Sequence, residues 1–250
     1  MVETSANSAS KEGAASEFHV LQMNLCNSGL AACYSNGHSL SSATYLIATE
    51  RPNAVFVSEI CEPDLYTLAY GGVGDIYPDY PATYFVPIRN SSGNIIQCTG
   101  GRGSYGSGIF VDNNYAYTWQ GGNYSAQFGS GEARSYGCAR FSSFIGCVTH
   151  LESRSKSVAM AQCNELMNTR IPQFKSTYNQ PASVPVIASG DLNLEYNTSD
   201  PYNVQNCVPS SYWRKGNGGG NWIGVVDLSE VFGRGGSLTV RARRSFAAVV

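Results

Sequence analysis

Four of the short apolar runs in this chain end on a polar side chain of a kind that binds cations or phosphate, and that pattern restricts its fold more than anything else in the sequence. FHVLQM runs into Asn24, AVFVS into Glu59, FIGCVT into His150, and VPVIASG into Asp191, with Asn193 two residues further on. The β-branched and aromatic content predicts strands over Phe18–Cys26, Ala54–Ser58, Tyr84–Ile88 and Gly108–Val111, and again over Ser135–Phe141, Phe144–Thr149, Val184–Ala188 and Trp222–Leu228. Helical spacing is predicted for Ser39–Glu50, stopping at Arg51-Pro52, and for Ser155–Thr169, ending before Pro172. The two strands around residues 141–144 are close enough to form a hairpin. Strand–helix alternation mixed with hairpins implies mixed rather than all-parallel sheets. In such sheets, sites collect at the carboxyl ends of strands, where these polar residues stand.

The chain has 250 residues, enough for one sizeable core, and neither an internal repeat nor a linker divides it. Residues 18–250 are expected to form one domain behind a flexible Ser/Ala/Glu-rich leader, residues 1–17, which lacks the apolar stretch of a signal peptide. No run approaches the roughly 18 apolar residues of a membrane span, so no stable membrane insertion is expected. A net charge of −2 excludes global electrostatic steering toward nucleic acid but leaves room for a local basic patch. Twelve of the 16 cationic residues are Arg, the better bidentate phosphate ligand, although codon bias explains that equally well.

The eight cysteines, at positions 26, 33, 61, 98, 138, 147, 163 and 207, include no CxxC pair with zinc-ligand spacing. Disulfides are the better explanation, and they imply an oxidising, extracellular compartment. Cys26 and Cys33 are near enough to close a small loop; the rest of the pairing stays open. Asn-x-Ser sequons begin at Asn90, Asn123 and Asn197, and they matter only in a eukaryotic host.

Each polar residue has a functional and a structural reading. In SGDLN the Gly allows a sharp turn, and alternation sends Asp191 and Asn193 to one side, where a carboxylate can deprotonate water and a carboxamide can hold a phosphate oxygen. The structural alternative is an Asx-turn closing the strand. Glu59, emerging from a buried strand, needs a cation or a salt bridge, and a hard oxygen ligand suits Mg²⁺, with Mn²⁺ or Ca²⁺ as alternatives. His150 can donate to a phosphate oxygen or serve as a structural imidazole, and His19 and His38 are read as structural. Asn24 can orient the metal-binding carboxylate or cap its strand. Arg102 and Tyr105 belong to GRGSYGSG, within the polar run Asn90–Gly108 read as a surface loop, where Arg could grip phosphate and Tyr could stack. The Gly-Lys-Ser/Thr ending of a nucleotide P-loop is missing.

Taken in order, N-L, S-E, R-x-S-Y, T-H-L and G-D-L-N resemble the deoxyribonuclease I-like endonuclease/exonuclease/phosphatase superfamily over Phe18 to Leu228, most specifically through T-H-L and G-D-L-N. The superfamily includes deoxyribonucleases, the cytolethal distending toxin nuclease subunit, neutral sphingomyelinases and inositol polyphosphate phosphatases. The opening N-L-C-N-S-G and the many cysteines look nearest to secreted bacterial members. The resemblance implies a four-layer α/β sandwich of two packed mixed β-sheets flanked by helices. It further implies a monomeric, Mg²⁺-dependent phosphodiester hydrolase, foremost a secreted nuclease acting on DNA or RNA. A phospholipid or sugar-phosphate substrate, or a catalytically impaired phosphate-binding member, are the alternatives. By the same likeness Glu59, helped by Asn24, would bind the metal, and His150 would contact the scissile phosphate. Asp191 with Asn193 would orient water and stabilise the transition state, and Arg102 with Tyr105 would touch substrate. The sequence departs from the family at its end, atypical from about residue 229. The family finishes with an Asp-His pair before a last apolar strand. Here no histidine follows His150, and if FAAVV is that strand, Arg244 and Ser245 stand where the pair is expected. Asp227, in VVDLSEVF, is a loose match to the aspartate of the penultimate strand.

Overall fold

The computed structural model describes residues 18–71, 81–112, 117–129, 131–216, 222–227 and 238–243, with side chains as far as residue 214. The leader, Arg244, Ser245 and the expected strand FAAVV lie outside the described residues, as does the side chain of Asp227. In chain order the strands are β1 (Phe18–Asn24), β2 (Ala54–Cys61), β3 (Ala82–Pro87), β4 (Arg89–Asn90), β5 (Tyr105–Val111), β6 (Thr118–Asn123) and β7 (Glu132–Ala133). They continue with β8 (Ser135–Arg140), β9 (Ile145–His150), β10 (Val186–Asp191), β11 (Tyr212–Gly216), β12 (Trp222–Asp227) and β13 (Leu238–Arg243). The helices are α1 (His38–Glu50), α2 (Glu62–Tyr66), α3 (Lys156–Glu165) and α4 (Ile171–Thr177).

Two mixed sheets carry the fold, one ordered β13-β1-β2-β5-β3 and the other β11-β12-β10-β9-β8-β6. β13 pairs parallel with β1 at the edge of the first sheet, and the other parallel pairs, β1 with β2 and β9 with β10, lie inside their sheets. Both faces of these strands are covered, so they read as nearly continuous apolar runs.

Three apolar clusters define four layers. Ala43 and Ile47 of α1 pack on Leu21, Met23, Val55 and Val57 across the outer face of the first sheet. Val20, Phe56, Ile109, Phe141, Phe144, Val148 and Ile187 fill the space between the sheets. Ala159, Leu166, Met167, Ile171 and Phe174 cover the outer face of the second sheet against Ile145, Val186 and Ala188. The buried positions of α1, Ser39, Ala43 and Ile47, recur every fourth residue and give it a single inward face. The expected four-layer sandwich of two mixed sheets is the observed fold.

Two expected boundaries move. The helix that starts at Lys156 continues beyond residue 169: a π-helical turn, Leu166–Arg170, joins α3 to α4, and Pro172 falls in the first turn of α4, where its missing N–H costs nothing. The surface loop expected over 90–108 is partly buried structure. Cys98 is buried and bonded to Cys61, and Tyr105 opens β5 with 4% of its surface exposed.

Candidate active site

The site is built where strand ends of the two sheets face each other. Asn24 is the last residue of β1, and His150 and Asp191 are the paired last residues of the parallel strands β9 and β10. Glu59 arrives differently. The register of β2 against β5 shifts between Val57 and Ile60, a β-bulge in which Glu59 takes φ 57°. A bulge re-aims a side chain, and this one stands in the site. Ser58, beside it, donates to the Thr149 carbonyl at 3.2 Å and ties one sheet to the other directly beneath the site.

Gly190 has a different role from the turn expected of it. It lies within β10, and a Cβ there would sit 1.8 Å from the Thr149 carbonyl oxygen. Glycine therefore allows β9 and β10 to approach closely enough to bring His150 beside Asp191.

Asn24 is the centre of the arrangement. Its Oδ1 accepts the backbone N–H of Cys26 at 2.9 Å, which fixes the orientation of the carboxamide. Its Nδ2 then donates to Glu59 Oε1 at 2.6 Å and to Asp191 Oδ2 at 3.2 Å. One amide thus joins carboxylates from opposite sheets. His150 Nε2 stands 3.8 Å from Glu59 Oε1 and 3.9 Å from Asp191 Oδ2.

Those two approaches are not ion pairs. Burial, and the Arg134 guanidinium beside the ring, hold the imidazole pKa well below its ordinary value. Arg134 Nη1 lies 3.0 Å from His150 Nδ1, and because arginine can only donate, Nδ1 accepts and the neutral ring carries its proton on Nε2.

Burial acts in the opposite sense on the acids. Desolvation raises the Glu59 pKa against the lowering influence of its Asn24 hydrogen bond. The same cause raises that of Asp191 to about 6, despite the hydrogen bonds from Asn24 and the Asn193 backbone, and the Glu59 charge pushes in the same direction. Arg134 only partly offsets this desolvation, and two such carboxylates bridged by a neutral amide form a hard-oxygen donor set that fits a divalent ion such as Mg²⁺. The Sγ atoms of Cys26 and Cys33 also come within 4.8 Å of a Glu59 carboxylate oxygen, but they are bonded to each other and offer no thiolate.

Around this centre lies a cavity of about 370 Å³. Ser28, Leu30 and Ala31 form one wall, Glu132, Arg134 and Tyr105 another, and Ser153 and Arg154 stand with Asn193 on the β9–β10 side. Asn193, at φ 49°, donates its side-chain N–H to the Leu151 carbonyl at 2.9 Å, while its backbone N–H closes an Asx-turn on Asp191 Oδ1 at 3.1 Å. The Asx-turn closing the strand is therefore observed, and both residues border the cavity.

Asn24, Glu59, His150, Asp191, Asn193 and Tyr105 are brought together. Tyr105 is a buried wall residue whose phenol meets Glu132, and desolvation keeps its pKa well above the usual tyrosine value. Arg102 is not in the cavity wall. It binds Asp64 at 3.2 Å and the Thr99 carbonyl at 3.2 Å, and its guanidinium stacks 4.8 Å over the Tyr34 ring.

The arginines that do line the cavity, Arg134 and Arg154, were not among the residues singled out from sequence. Arg134 is 7% exposed, bonds Glu132 at 2.9 Å and faces the buried Glu152 carboxylate at 4.0 Å. A cation three residues past T-H-L would have pointed to Arg154. Arg134 carries no comparable signal, because its neighbour His150 lies in another strand.

No protein-family model and no curated protein matches the chain. Solved structures do. A mannosyl-6-phosphatase of Bacteroides thetaiotaomicron aligns over 84% of this chain and 85% of its own, with a TM-score of 0.54 at 11% identity. The human Nocturnin catalytic domain aligns over 78% of each chain, with a TM-score of 0.53 at 15% identity. An endonuclease/exonuclease/phosphatase family protein, also from Bacteroides thetaiotaomicron, aligns over 84% of this chain and 81% of its own, with a TM-score of 0.52 at 10% identity. This chain has the deoxyribonuclease I-like fold. Within that fold, the cavity opens where the strand ends of the two sheets meet.

Proposed function

We propose that this protein is a divalent-cation-dependent phosphodiester hydrolase that acts outside the cell, and that its substrate is a nucleic acid. The observation that carries the reading is the amide of Asn24, which holds Glu59 and Asp191 from facing sheets on one nitrogen, with His150 Nε2–H beside both. Glu59 would hold the cation, Mg²⁺ foremost, with Asn24 fixing the carboxylate's orientation. When bound, the ion supplies neutralising charge for a phosphate that must accept a nucleophile.

The rest of the chemistry falls to side chains. Asp191, a buried carboxylate beside the proposed cation site, would be ionised there and positioned to take a proton from water. His150, neutral with its proton on Nε2, donates to a non-bridging phosphate oxygen without needing to ionise. The second N–H of the Asn193 carboxamide is available to another oxygen, since one is committed to Leu151. Arg134 orients His150 from behind, and the exposed Arg154 brings positive charge to the rim.

The solved structures with this fold include a mannosyl-6-phosphatase, so the scaffold accommodates phosphoester chemistry on a sugar as well. Four disulfides, and the absence among the described residues of any helix long and apolar enough to cross a membrane, support an extracellular setting.

The test is cleavage of plasmid DNA, RNA and sphingomyelin in millimolar Mg²⁺. We expect nucleic acid to be cut, with Asp191→Ala and His150→Ala each lowering the rate by roughly 10²–10⁴. If all three substrates stay intact and Asp191→Ala behaves as the parent, the hydrolase reading is wrong. Mn²⁺ binding without turnover would instead favour a phosphate-binding protein, the reading motivated by the lack of any histidine after His150.

A further inference from the structure

Three of the four disulfides, Cys61–Cys98, Cys138–Cys147 and Cys163–Cys207, have both half-cystines buried. The fourth, Cys26–Cys33, has Cys26 buried and Cys33 exposed. It is also the one at the candidate site. Its sulfurs lie within 4.8 Å of a Glu59 carboxylate oxygen, and the ring it closes supplies Ser28, Leu30 and Ala31 to the cavity wall. The Cys26 backbone, held at φ 47°, donates the N–H that fixes the Asn24 carboxamide at 2.9 Å. The covalent bond therefore touches the site twice, through the wall and through the amide that joins the two carboxylates.

We propose that Cys26–Cys33 is a thiol-exchange site that latches the cavity. It is opened by a low-molecular-weight thiol and closed in an oxidising compartment. This rests on the metal-dependent reading of the site only for its consequence, not for the exchange itself. A thiolate attacks the accessible Cys33 sulfur, the S–S bond breaks, and Cys26 leaves as a thiolate that takes up a proton. A second thiol then attacks the mixed disulfide at Cys33. It forms the external disulfide and releases the second protein thiol, so two thiols are oxidised and one disulfide is reduced. The opened segment keeps the backbone bond from Asn27 to Glu59 at 2.8 Å, the Asn27–Asp64 bond at 2.6 Å and the Ser28–Thr99 backbone bond at 2.9 Å. Leu25, bonded to the Ser58 carbonyl at 3.0 Å, and Asn27 hold Cys26 in place, so the segment that loosens is 29–33, with the wall residues Leu30 and Ala31, while the sandwich stays folded. The cavity then loses its fixed wall beside Glu59, and the carboxylates joined by Asn24 are opened to water. Such a latch would leave the site slack in a reducing cytosol and assemble it after export.

The experiment treats folded protein with graded dithiothreitol, traps thiols with iodoacetamide and locates the label by mass spectrometry. In parallel it reads Mn²⁺ affinity by calorimetry and secondary structure by circular dichroism. The expected result is label on Cys26 and Cys33 before any other cysteine, Mn²⁺ affinity about tenfold weaker or more, an unchanged spectrum, and recovery on reoxidation. The double variant Cys26→Ser/Cys33→Ser should show the same weakened affinity and no response to dithiothreitol. If that variant does not fold, the graded reduction of the parent decides. Label appearing first on another pair, or unchanged Mn²⁺ affinity with this pair open, overturns the latch. A protein that binds Mn²⁺, responds to dithiothreitol and cuts nothing refutes the hydrolase and keeps the latch. One that binds no Mn²⁺ when oxidised refutes the metal-dependent reading, and the order of labelling alone then decides the exchange site.

Discussion

Asp191 is the residue at which the electrostatics of the site can be read most directly. Its carboxyl has a pKa of about 6 in the folded protein against 3.8 as a free side chain, so between those values the folded state keeps a proton that the unfolded chain releases. Stability therefore falls as pH rises from about 4 to about 6 and levels off above, by roughly 3 kcal/mol from this group. Glu59 is shifted in the same direction by the same burial and adds to the trend. His150 acts in the opposite sense, because an imidazole buried neutral costs stability below its unfolded value of 6.5, so the carboxylate contribution is isolated by difference. In chelator, the stability of the parent relative to Asp191→Asn should be higher at pH 5 than at pH 7.5, and saturating Mg²⁺ should narrow or abolish that gap. A relative stability that climbs from pH 5 to 7.5 would show that this carboxyl is not desolvated as described.

At this same scale the sequence was informative where a side chain ends an apolar run. Asn24, Glu59, His150 and Asp191 all follow strand-forming residues, so their convergence could be read from pattern. Arg134 could not, because its partner His150 becomes its neighbour only through the antiparallel pairing of β8 with β9. Arg102 shows the converse. Its glycine-rich surroundings suggested a ligand loop, yet Asp64 and Tyr34, both distant in sequence, hold it.

Among the elements, β10 makes the most demanding requirement. Alanine at Gly190 would place a methyl group 1.8 Å from the Thr149 carbonyl, against backbone that cannot rotate away. Gly190→Ala should therefore push β9 and β10 apart, costing about 1–3 kcal/mol by overpacking and weakening metal binding together. Thermal unfolding and Mn²⁺ calorimetry on the same sample would check both, and a variant with parental values in each would mean that the strands do not need their close approach. Element positions were largely predictable from apolar runs and proline, and they failed where a local signal has two outcomes. Proline ends a helix or begins one, and Pro172 begins α4 because a π-helical turn precedes it. The bulge in β2 was invisible for a similar reason. The apolar run AVFVS ends at Ser58, and only the pairing with β5 shows that the strand continues to Cys61 through an extra residue that re-aims Glu59.

Across the whole molecule, the site depends on how two sheets sit against each other. Each disulfide stays within one half. Cys138–Cys147 staples directly paired residues of β8 and β9, Cys163–Cys207 ties α3 to the segment after Val204, and Cys61–Cys98 and Cys26–Cys33 belong to the other sheet. Apolar packing, with Phe56 fully buried in the inter-sheet cluster, and the Ser58–Thr149 hydrogen bond link the halves near the site. Phe56→Ala should therefore cost about 3–5 kcal/mol and also weaken Mn²⁺ binding, although Phe56 touches no ligand. Denaturant unfolding with calorimetry would separate this from a purely local cavity, which would lower stability and leave affinity intact. Mixed sheets followed from alternation and hairpin spacing, and the four-layer architecture from the resemblance to the deoxyribonuclease I-like superfamily. The distance across the sheets did not, since it is set by side chains that meet only in the folded state.

The most direct measurement is Mn²⁺ titration calorimetry of the parent, Glu59→Gln and Asp191→Asn at neutral pH. One ion bound per chain by the parent, with affinity lost in Glu59→Gln and at least tenfold weaker in Asp191→Asn, is the predicted result. No saturable binding by the parent, or binding that both variants retain at full strength, would contradict a shared metal and phosphate site on these two strand ends.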